Sequence, residues 1–590
     1  MNLDIIFVTF NSSKWIDKCL DSILKSDYNL KKVNLVFFDN NSSDGTIQLL
    51  EKWNKKSKDK IKSFKIIKNK KNYGFGIGNN KAFKKGESDL VFFLNIDTEI
   101  KVDTLTKIND FFADCEENIG VLELRQEPFE HPKYYDPITN ETGWFSGACF
   151  VVKRKVFKKA KGFDKHIFMY CEDVDLSFKI RKIGYKIIYD YNNSITHYSY
   201  SKANEFKLLQ FANSISNNVY LRLKHGNLAD LLKGILVYKN VFTTLRVPEN
   251  FDLKNVKKEI KKMFMKMFFW GQIELIKRIG NIFKKNYHCK YYFNFLDYEL
   301  NKNGAFYTPK EVKDKSLVSI IVRTHNRPTV LKETIQSILN QTYQNFEIIV
   351  VEDGKATAKT MLSSFKDNRI KYYSTNEKKG RCYVGNYGIK KSSGEYINFL
   401  DDDDLFYNDH IETLLSNFEV DDNIVYSTSF ATEIEIISIK PYKYNIKSKT
   451  IPCNNNNINI INLCKSNQTP IQAVMFRRNV FENCGGLDET MDALEDWDLW
   501  IRFALKYKFK YVDKTTSIYR IPYDQTIAKE REQFLKDAYD SVRSKYAAEN
   551  TTVILEDLYN EDDDSNVSKI SFKGKIVILT KKILKKFNIE

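Results

Sequence analysis

The chain alternates between short apolar runs and amphipathic stretches, a pattern that predicts an α/β fold. Residues 5–9 form an apolar run typical of a buried strand, and apolar residues then recur at helical spacing over 15–24. Residues 33–38 form a second apolar run. The order strand, helix, strand predicts a βαβ unit. Ligands of open α/β sheets bind beyond the carboxyl ends of the strands, so we look for chemistry there.

The same order of elements returns in the second half of the chain. Strand, helix and strand are predicted again over 318–322, 335–339 and 347–351. The matching residues lie at a constant offset of 315, Thr9 with Thr324 and Asn11 with Asn326. A constant offset across several elements indicates an internal repeat. The sequence therefore predicts two α/β domains in tandem, derived from one ancestor.

An acidic motif repeats as well. Glu172-Asp173-Val174-Asp175-Leu176 returns 323 residues later as Glu495-Asp496-Trp497-Asp498-Leu499. Asp190 and Asp513, at the ends of the next apolar runs, keep the same offset of 323. Acids at this position could simply cap the following helix. Capping accounts for one acid but not for the same acids in both copies, so we interpret the motif as functional.

Each half also contains an apolar run that ends in acidic or amide residues. Residues 89–94 lead into Asn95-Ile96-Asp97, and residues 396–400 lead into Asp401-Asp402-Asp403-Asp404. Carboxylates at strand ends suit Mg²⁺ or Mn²⁺, which bridge protein and phosphate oxygens and stabilise a departing diphosphate. The alternative is a solvated acidic turn, but a run of four acids directly after a strand has no folding reason. These segments predict a cation and diphosphate site in each half.

The composition of the chain indicates the charge of its partners and its cellular compartment. The 590 residues carry a net charge of +17, which favours a polyanionic partner such as nucleic acid, an anionic membrane face or a phosphorylated substrate. Nine scattered cysteines indicate reduced thiols, and neither a signal peptide nor a run of 18 apolar residues is visible, so we expect a cytoplasmic protein. Two stretches, 256–268 and 569–587, mix lysines with apolar residues at helical spacing. They predict either contact with the inner face of the plasma membrane or helices packed on the domains.

With these motifs, both halves resemble family 2 glycosyltransferases of the GT-A fold, inverting enzymes that use nucleotide-sugar donors. The resemblance covers most of 1–225 and 316–525. It implies Asp173 and Asp496 as catalytic bases that deprotonate the acceptor hydroxyl, assisted by Glu172 and Glu495. It implies Mn²⁺ or Mg²⁺ as cofactor and a UDP- or dTDP-sugar as donor. The implied donor-binding residues are Thr9, Asn11, Asp39, Asn72, Gly74, Asn95 and Asp97 in the first half, and Thr324, Asn326, Glu352, Asp353, Arg381, Asn386, Asp401, Asp402 and Arg520 in the second.

The implied cation ligands are Asp97 with His197 in the first half and Asp401 with Asp403 in the second. Asn95 replaces a leading acid, and Arg520 stands at the position of His197; an arginine neutralises a diphosphate but does not bind a metal. Cation handling is therefore expected to differ between the halves.

We accordingly expect a GT-A domain over 1–225, rhamnosyltransferase-like, a helical basic linker over 226–315, a second GT-A domain over 316–545 and a basic amphipathic tail over 546–590. The expected function is bifunctional transfer of sugars to a growing bacterial capsule or lipopolysaccharide, on a lipid-linked or oligosaccharide acceptor. One alternative is that a single domain is catalytic and the other positions the acceptor. A nucleic-acid-binding protein would leave the aligned acids unexplained, and a non-enzymatic glycan-binding module would show no metal-dependent affinity for UDP, so nucleic acid is not expected as a partner.

Overall fold

A computed structural model describes residues 1–199, 207–248, 251–282, 298, 302–307, 309, 312, 316–419, 424–439, 443–450 and 460–546. The chain divides into two compact units, Met1–Asn301 and Lys302–Glu590, called here the first and the second unit. The predicted basic tail lies outside the described residues, apart from Tyr546 at its start.

The first unit is built on an eight-stranded sheet in the order β3-β2-β1-β4-β7-β6-β8-β5. The first four of these strands are parallel to one another, whereas β7 is antiparallel to both its neighbours. The elements are β1 Leu3–Thr9, α1 Ser13–Leu24, β2 Val33–Asp39, α2 Thr46–Ser57, β3 Ser63–Lys68, α3 Phe75–Phe83, β4 Leu90–Leu94, β5 Thr98–Ile100, α4 Thr104–Asp114, β6 Ile119–Glu127, β7 Cys149–Lys153, α5 Arg154–Lys159, α6 Glu172–Lys182 and β8 Lys186–His197.

The central strands are apolar on both faces because helices cover the sheet on both sides. Every residue of β2 is buried. Along β1, Ile5 and Phe7 enter one hydrophobic cluster, while Ile6 between them enters the other. The carboxyl ends of β1, β2 and β4 therefore share one edge of the sheet, as the sequence predicts.

The second unit repeats this sheet position for position, in the order β11-β10-β9-β12-β16-β14-β17-β13, with β15 added beside β14. Two tandem α/β domains of one topology are thereby confirmed. The elements are β9 Val318–Thr324, α10 Pro328–Leu339, β10 Phe346–Glu352, α11 Lys359–Ser363, β11 Ile370–Ser374, α12 Arg381–Lys391, β12 Tyr396–Asp401, β13 Leu405–Phe406, α13 His410–Leu415, β14 Ile424–Ile439, β15 Lys443–Thr450, α14 Ile460–Lys465, β16 Val474–Arg477, α15 Arg478–Asn483, α16 Glu495–Ala504, β17 Lys508–Pro522 and α17 Gln525–Tyr546.

Three helices follow the sheet of the first unit: α7 Leu208–His225, α8 Leu228–Thr244 and α9 Leu253–Ile282. The apolar face of α9 that the sequence offered for either membrane contact or packing is buried. Val256 and Ile260 pack with Ala212 of α7, and Met267 packs with Ile167 and Tyr220. Packing is therefore the outcome for this face. The described residues of the expected linker up to 298 belong to the first unit, whereas 302–307, 309 and 312 belong to the second. Within the part of the chain that the structure describes, no helix is long and apolar enough to span a bilayer.

Candidate active site

The nucleotide side of the first site is built at the ends of β1 and β2. Thr9 and Asp39 are register partners, and the Thr9 hydroxyl donates to Asp39 Oδ1 at 3.0 Å. Ser42 donates to the same carboxylate through its hydroxyl at 2.6 Å and its backbone N–H at 2.9 Å. Asp39 is buried at this edge, so its carboxylate is held in one orientation beside Thr9.

The two neighbouring loops are held at the same edge. Asn11 has a positive φ of 49°, and its Oδ1 accepts from the Ser43 N–H at 2.9 Å. Asn72 Oδ1 accepts from the Gly74 N–H at 2.8 Å. Gly74 has φ 82°, and a β-carbon there would come within 2.3 Å of the Phe168 carbonyl oxygen. Only glycine suits this turn, because a side chain would be both strained and overlapping.

A short loop, Ser146–Ala148, joins the predicted cation motif to the predicted base. The Asn95 N–H donates to the Ala148 carbonyl at 2.8 Å, and the Gly147 N–H donates to Asp173 Oδ2 at 2.8 Å. Residues from three separate parts of the sequence thus converge at the end of β4. The convergence of Asn95-Ile96-Asp97 with Asp173 is what the repeated motifs predicted.

His197 is prepared to act as a ligand beside Asp97. Its Nδ1 lies 2.8 Å from Gln126 Oε1, which can only accept, so Nδ1 carries the proton and Nε2 presents a lone pair. Nε2 is buried without a hydrogen-bond partner and lies 3.5 Å from Asp97 Oδ1. A carboxylate and an imidazole nitrogen facing one point fit a divalent cation.

Asp173 and Glu172 open helix α6, where the Glu172 side chain is buried and Asp173 is half-buried. Asp173 Oδ1 accepts from the Val174 N–H at 2.8 Å. Burial is the main cause that raises the pKa of Asp173. Burial, followed by the charge of Asp173, raises the pKa of Glu172 further, and Glu172 Oε2 has no hydrogen-bond partner. Two adjacent acids with raised pKa values in a buried site are the arrangement that a general base requires.

In the second site a buried arginine joins the two acidic motifs. Arg323 donates through Nε to Asp401 Oδ1 at 2.8 Å and through Nη1 to Glu495 Oε1 at 2.7 Å. The position corresponds to Val8 in the first unit, at the offset of 315. Sequence reasoning missed Arg323, although a charged residue inside an otherwise apolar strand was the available signal. The bridge places the strand-end acids and the Glu495-Asp496 pair in one site.

Asp402 and Asp403 are also paired with an arginine, whereas Asp404 accepts from a backbone N–H. Arg327 donates to Asp402 Oδ2 at 3.1 Å and to Asp403 Oδ2 at 2.9 Å. Thr324 donates to Asp402 Oδ2 at 2.6 Å, and Arg520 donates through its N–H to Asp404 Oδ1 at 3.0 Å. Burial raises the pKa of Asp402 to about 7.

The two sites therefore differ in their fit to a cation. In the second, the predicted ligands Asp401 and Asp403 are each engaged by an arginine, and this arrangement does not present free carboxylates to a metal. The first site does present ligands to a metal, namely the Asp97 carboxylate and the His197 imidazole nitrogen. No cluster of three or more potential ligands occurs within the described ranges, so phosphate oxygens would complete the coordination of a cation held there.

The other predicted donor residues of the second site divide into two groups. Asp353 accepts from the Lys379 N–H at 2.6 Å and the Gly380 N–H at 3.1 Å, next to Arg381, whose Nη1 is 3.9 Å from Glu495 Oε1. Asn326 occupies the same left-handed turn as Asn11, with φ 52°. Glu352 and Asn386 instead tie loops: Glu352 accepts from the N–H groups of 357 and 358, and Asn386 donates to the Leu487 carbonyl. Glu352 nevertheless lies at the same strand end as the other predicted residues, because it is the register partner of Thr324 on β9.

Asp496 is held by a residue that the sequence did not indicate. Asn467 donates through Nδ2 to Asp496 Oδ2 at 3.1 Å, and the Trp497 N–H donates to Oδ1 at 2.8 Å. Burial, followed by the charge of Glu495, raises the pKa of Asp496 to about 7. Asn467 thus does with a side chain what Gly147 does with its backbone in the first site.

The last acid of each repeated motif anchors a following helix. Asp175 is fully buried and pairs with Lys224 at 2.6 Å and His225 at 2.8 Å, both at the end of α7. Asp498 pairs with Lys545 at 2.7 Å and accepts from the Tyr546 hydroxyl at 2.7 Å, both at the end of α17. Burial raises the pKa of each carboxyl, yet the nearby cations reverse the shift and lower it. This helix clamp, Asp175 with Lys224 and Asp498 with Lys545, explains why the third acid repeats.

The parallel strands with acids at their carboxyl ends, followed by antiparallel strands in the same sheet, form a GT-A fold that is present twice. The family model for glycosyl transferase family 2 matches residues 4–175 and 319–483, more than half of the chain. The chain belongs to glycosyl transferase family 2.

Curated relatives carry the same description. The uncharacterized glycosyltransferase RC0461 of Rickettsia conorii is 31% identical over 291 residues, which is 45% of each chain. An uncharacterized glycosyltransferase of Rickettsia bellii is 32% identical over 239 residues, 39% of this chain and 32% of the relative. The chain thus spans less than half the length of these two relatives.

Solved structures with similar folds include the mannosyltransferase PcManGT from Pyrobaculum calidifontis in complex with GDP-Man and Mn²⁺. It is 17% identical, with 48% of this chain and 88% of that chain covered, at a TM-score of 0.34. Residues 1–349 of TarS from S. aureus in complex with UDP-GlcNAc are 17% identical, with 48% and 92% covered, at a TM-score of 0.32. At these scores the solved structures add nothing to the family assignment.

Proposed function

We propose that the chain is a bifunctional inverting glycosyltransferase, in which each unit moves one sugar from a nucleotide donor to a growing bacterial surface polysaccharide. The observation that carries the proposal is the pair of half-buried carboxyls of Asp173 and Asp496, which we assign as the two bases. Each is oriented by an N–H donor on Oδ2 and lies beside the acids or amides at the end of a central strand. A silent duplicate would have no reason to keep this arrangement.

The chemistry is a single in-line displacement. The acceptor hydroxyl oxygen attacks the anomeric carbon of the donor, the bond to the diphosphate oxygen breaks, and the hydroxyl proton passes to the aspartate. A base is most effective when its pKa is near the working pH. Asp496, with a pKa of about 7, meets this condition, and the raised pKa of Asp173 moves it in the same direction.

The two sites are proposed to neutralise the leaving diphosphate differently. In the first, Asp97 and His197 would hold Mn²⁺ or Mg²⁺, which supplies Lewis-acid stabilisation of the diphosphate when bound. In the second, the guanidinium groups of Arg327 and Arg520 donate to the Asp403 carboxylate and to the Asp403 carbonyl, respectively, and either can pair with phosphate oxygens. The residues Thr9, Asp39 and Asp353 would hold the nucleoside, as the family resemblance implies for a UDP- or dTDP-sugar.

The proposed acceptor is a lipid-linked or oligosaccharide precursor of capsule or lipopolysaccharide, which places the enzyme at the inner face of the plasma membrane. A second candidate keeps one unit as an acceptor-positioning domain. The mismatch between the sites favours considering it, because the first lacks any counterpart of Arg323 and has Asn95 in place of an acid.

Single substitutions of the two bases test the proposal. Nucleotide sugars are screened against the full chain, and the released nucleotide is measured for wild type, Asp173→Asn and Asp496→Asn. We expect each variant to lose one transfer and keep the other. The same substitution at an exposed carboxylate of the first unit, Asp59→Asn, is the matched control and should leave both transfers intact.

Loss of both transfers in either single variant would contradict independent sites. If one of the two variants matches wild type for every donor, the acceptor-positioning candidate replaces the bifunctional one.

A further inference from the structure

Helix α9 has a second apolar face, opposite the one that packs on the first unit. Met265, Phe269, Ile276 and Ile279 are exposed by 58%, 57%, 69% and 47% of their surface. These residues do not contribute to the hydrophobic clusters that hold α9 in place. A helix with apolar residues on both sides normally has both sides covered.

The exposed residues form one line along the helix. Met265, Phe269 and Ile276 follow one another at intervals of four and seven residues, which places them within about 40° around the axis. Lys258 and Lys262, also exposed, continue the same line towards the start of the helix. We call this line, from Lys258 to Ile279, the outer stripe.

Lysines outnumber acids beside the outer stripe. Lys261, Lys266 and Lys277 are exposed on either side of the line. The two acids of α9 lie off the line, where Glu259 approaches Lys262 at 3.9 Å and Glu274 pairs with Lys277 at 2.7 Å. The stripe therefore combines an apolar half with a surrounding positive charge.

A second copy of the chain fits this stripe poorly. A parallel copy would set Lys258 and Lys262 against the same lysines. An antiparallel copy that overlaps the whole stripe would set Lys258 against Ile279. An anionic lipid surface accepts both halves at once, because its headgroups pair with lysines while apolar side chains enter the boundary with the acyl chains.

We infer that the outer stripe of α9 docks the first unit on an anionic membrane, with the helix lying in the plane of the interface. The inference deepens the proposed function, since it gives that function's membrane-side acceptor a route to the enzyme. The apolar face that the sequence analysis considered for membrane contact, with Val256, Ile260 and Met267, is buried in the unit. The outer stripe is the opposite face of the same helix.

Vesicle binding of the full chain tests the inference. Co-sedimentation is measured with vesicles of phosphatidylcholine alone and with vesicles that contain phosphatidylglycerol, for wild type and for a Phe269→Glu, Ile276→Glu double variant. The control is Val102→Glu, which adds an acid at another apolar position that is 56% exposed in the same unit. We expect wild type and control to bind the phosphatidylglycerol vesicles, the double variant to bind at least tenfold more weakly, and added salt to weaken wild-type binding.

A charge variant, Lys258→Gln with Lys262→Gln, separates the two halves of the stripe and should also weaken binding to anionic vesicles. Equal wild-type binding to phosphatidylcholine alone would overturn the inference, as would unchanged binding of the double variant. So would a wild type that is dimeric in sedimentation and becomes monomeric in the double variant, because a second copy would then be the occupant. Nucleotide release with a soluble acceptor should be the same in all these proteins. Its absence in wild type would count against the proposed function and leave the membrane result standing.

Discussion

The orientation of Asp496 by Asn467 gives a prediction whose size can be worked out from the structure. Replacement of Asn467 by alanine removes the Nδ2 donor that lies 3.1 Å from Asp496 Oδ2. Burial and the charge of Glu495 raise the pKa of Asp496, and this hydrogen bond opposes them. Without the bond, the ionised form loses stabilisation and the pKa rises above its value of about 7.

The expected rise follows from the strength of one charge-assisted hydrogen bond. Such a bond contributes about 1.5–3 kcal/mol, and one pKa unit corresponds to about 1.4 kcal/mol, so the pKa should rise by about one to two units. Only the ionised aspartate can accept the acceptor's proton. At neutral pH the second transfer should therefore slow by about tenfold or more, and it should recover at higher pH.

The assay is the pH dependence of kcat/KM for the second transfer, measured in an Asp173→Asn background so that only the second site turns over. The acid limb of the profile should move to higher pH in Asn467→Ala. The first transfer, measured in an Asp496→Asn background, is the internal control, because the backbone N–H of Gly147 orients Asp173 there. A uniform loss of rate with an unmoved acid limb would refute the assignment of Asn467 to the pKa of the base.

Three further predictions concern stability and the cation. Arg323→Met leaves the carboxyls of Asp401 and Glu495 without their shared partner. The free energy of unfolding of the second unit, measured in urea, should therefore fall by about 3–5 kcal/mol. An unchanged midpoint would argue against the bridge. Because the folded-state pKa of Asp496 is raised, its ionisation destabilises the fold as pH rises through about 7. Asp496→Asn should therefore raise the thermal midpoint at pH 8 and leave it unchanged at pH 4, and the opposite order would contradict the raised pKa. His197→Ala should weaken Mn²⁺ binding measured by electron paramagnetic resonance in the presence of nucleoside diphosphate, whereas retained affinity would show that His197 is not a ligand.

The sequence predicted the repeated fold because apolar runs and helical spacing are read directly from local patterns. Constant offsets located the first strand of each unit. They also located the repeated acids Asp173 and Asp496. The order of strands around the sheet was not accessible in this way. It depends on pairings such as β4 with β7, which join residues far apart in the chain.

The electrostatic pairing inside the second site was also beyond the sequence. Four consecutive aspartates suggested free carboxylates for a cation, yet Arg323 and Arg327 occupy them. Which cation meets which acid depends on the directions of side chains at neighbouring strand ends. The sequence also could not predict which apolar face of α9 is buried, because helical spacing alone does not say which face packs on the protein.

The helix clamp sets the smallest part of each unit that can work on its own. The segments shared with the family end at residues 175 and 483, but Lys224 and Lys545 lie well past those ends. An exchange of modules between related enzymes that cut at residue 175 would leave Asp175 in the interior without Lys224, and a cut at residue 483 would remove Asp498 together with Asp496. The exchangeable module is therefore the sheet together with the helix that carries its lysine, α7 or α17. Chimeras should be joined after His225 or after Tyr546.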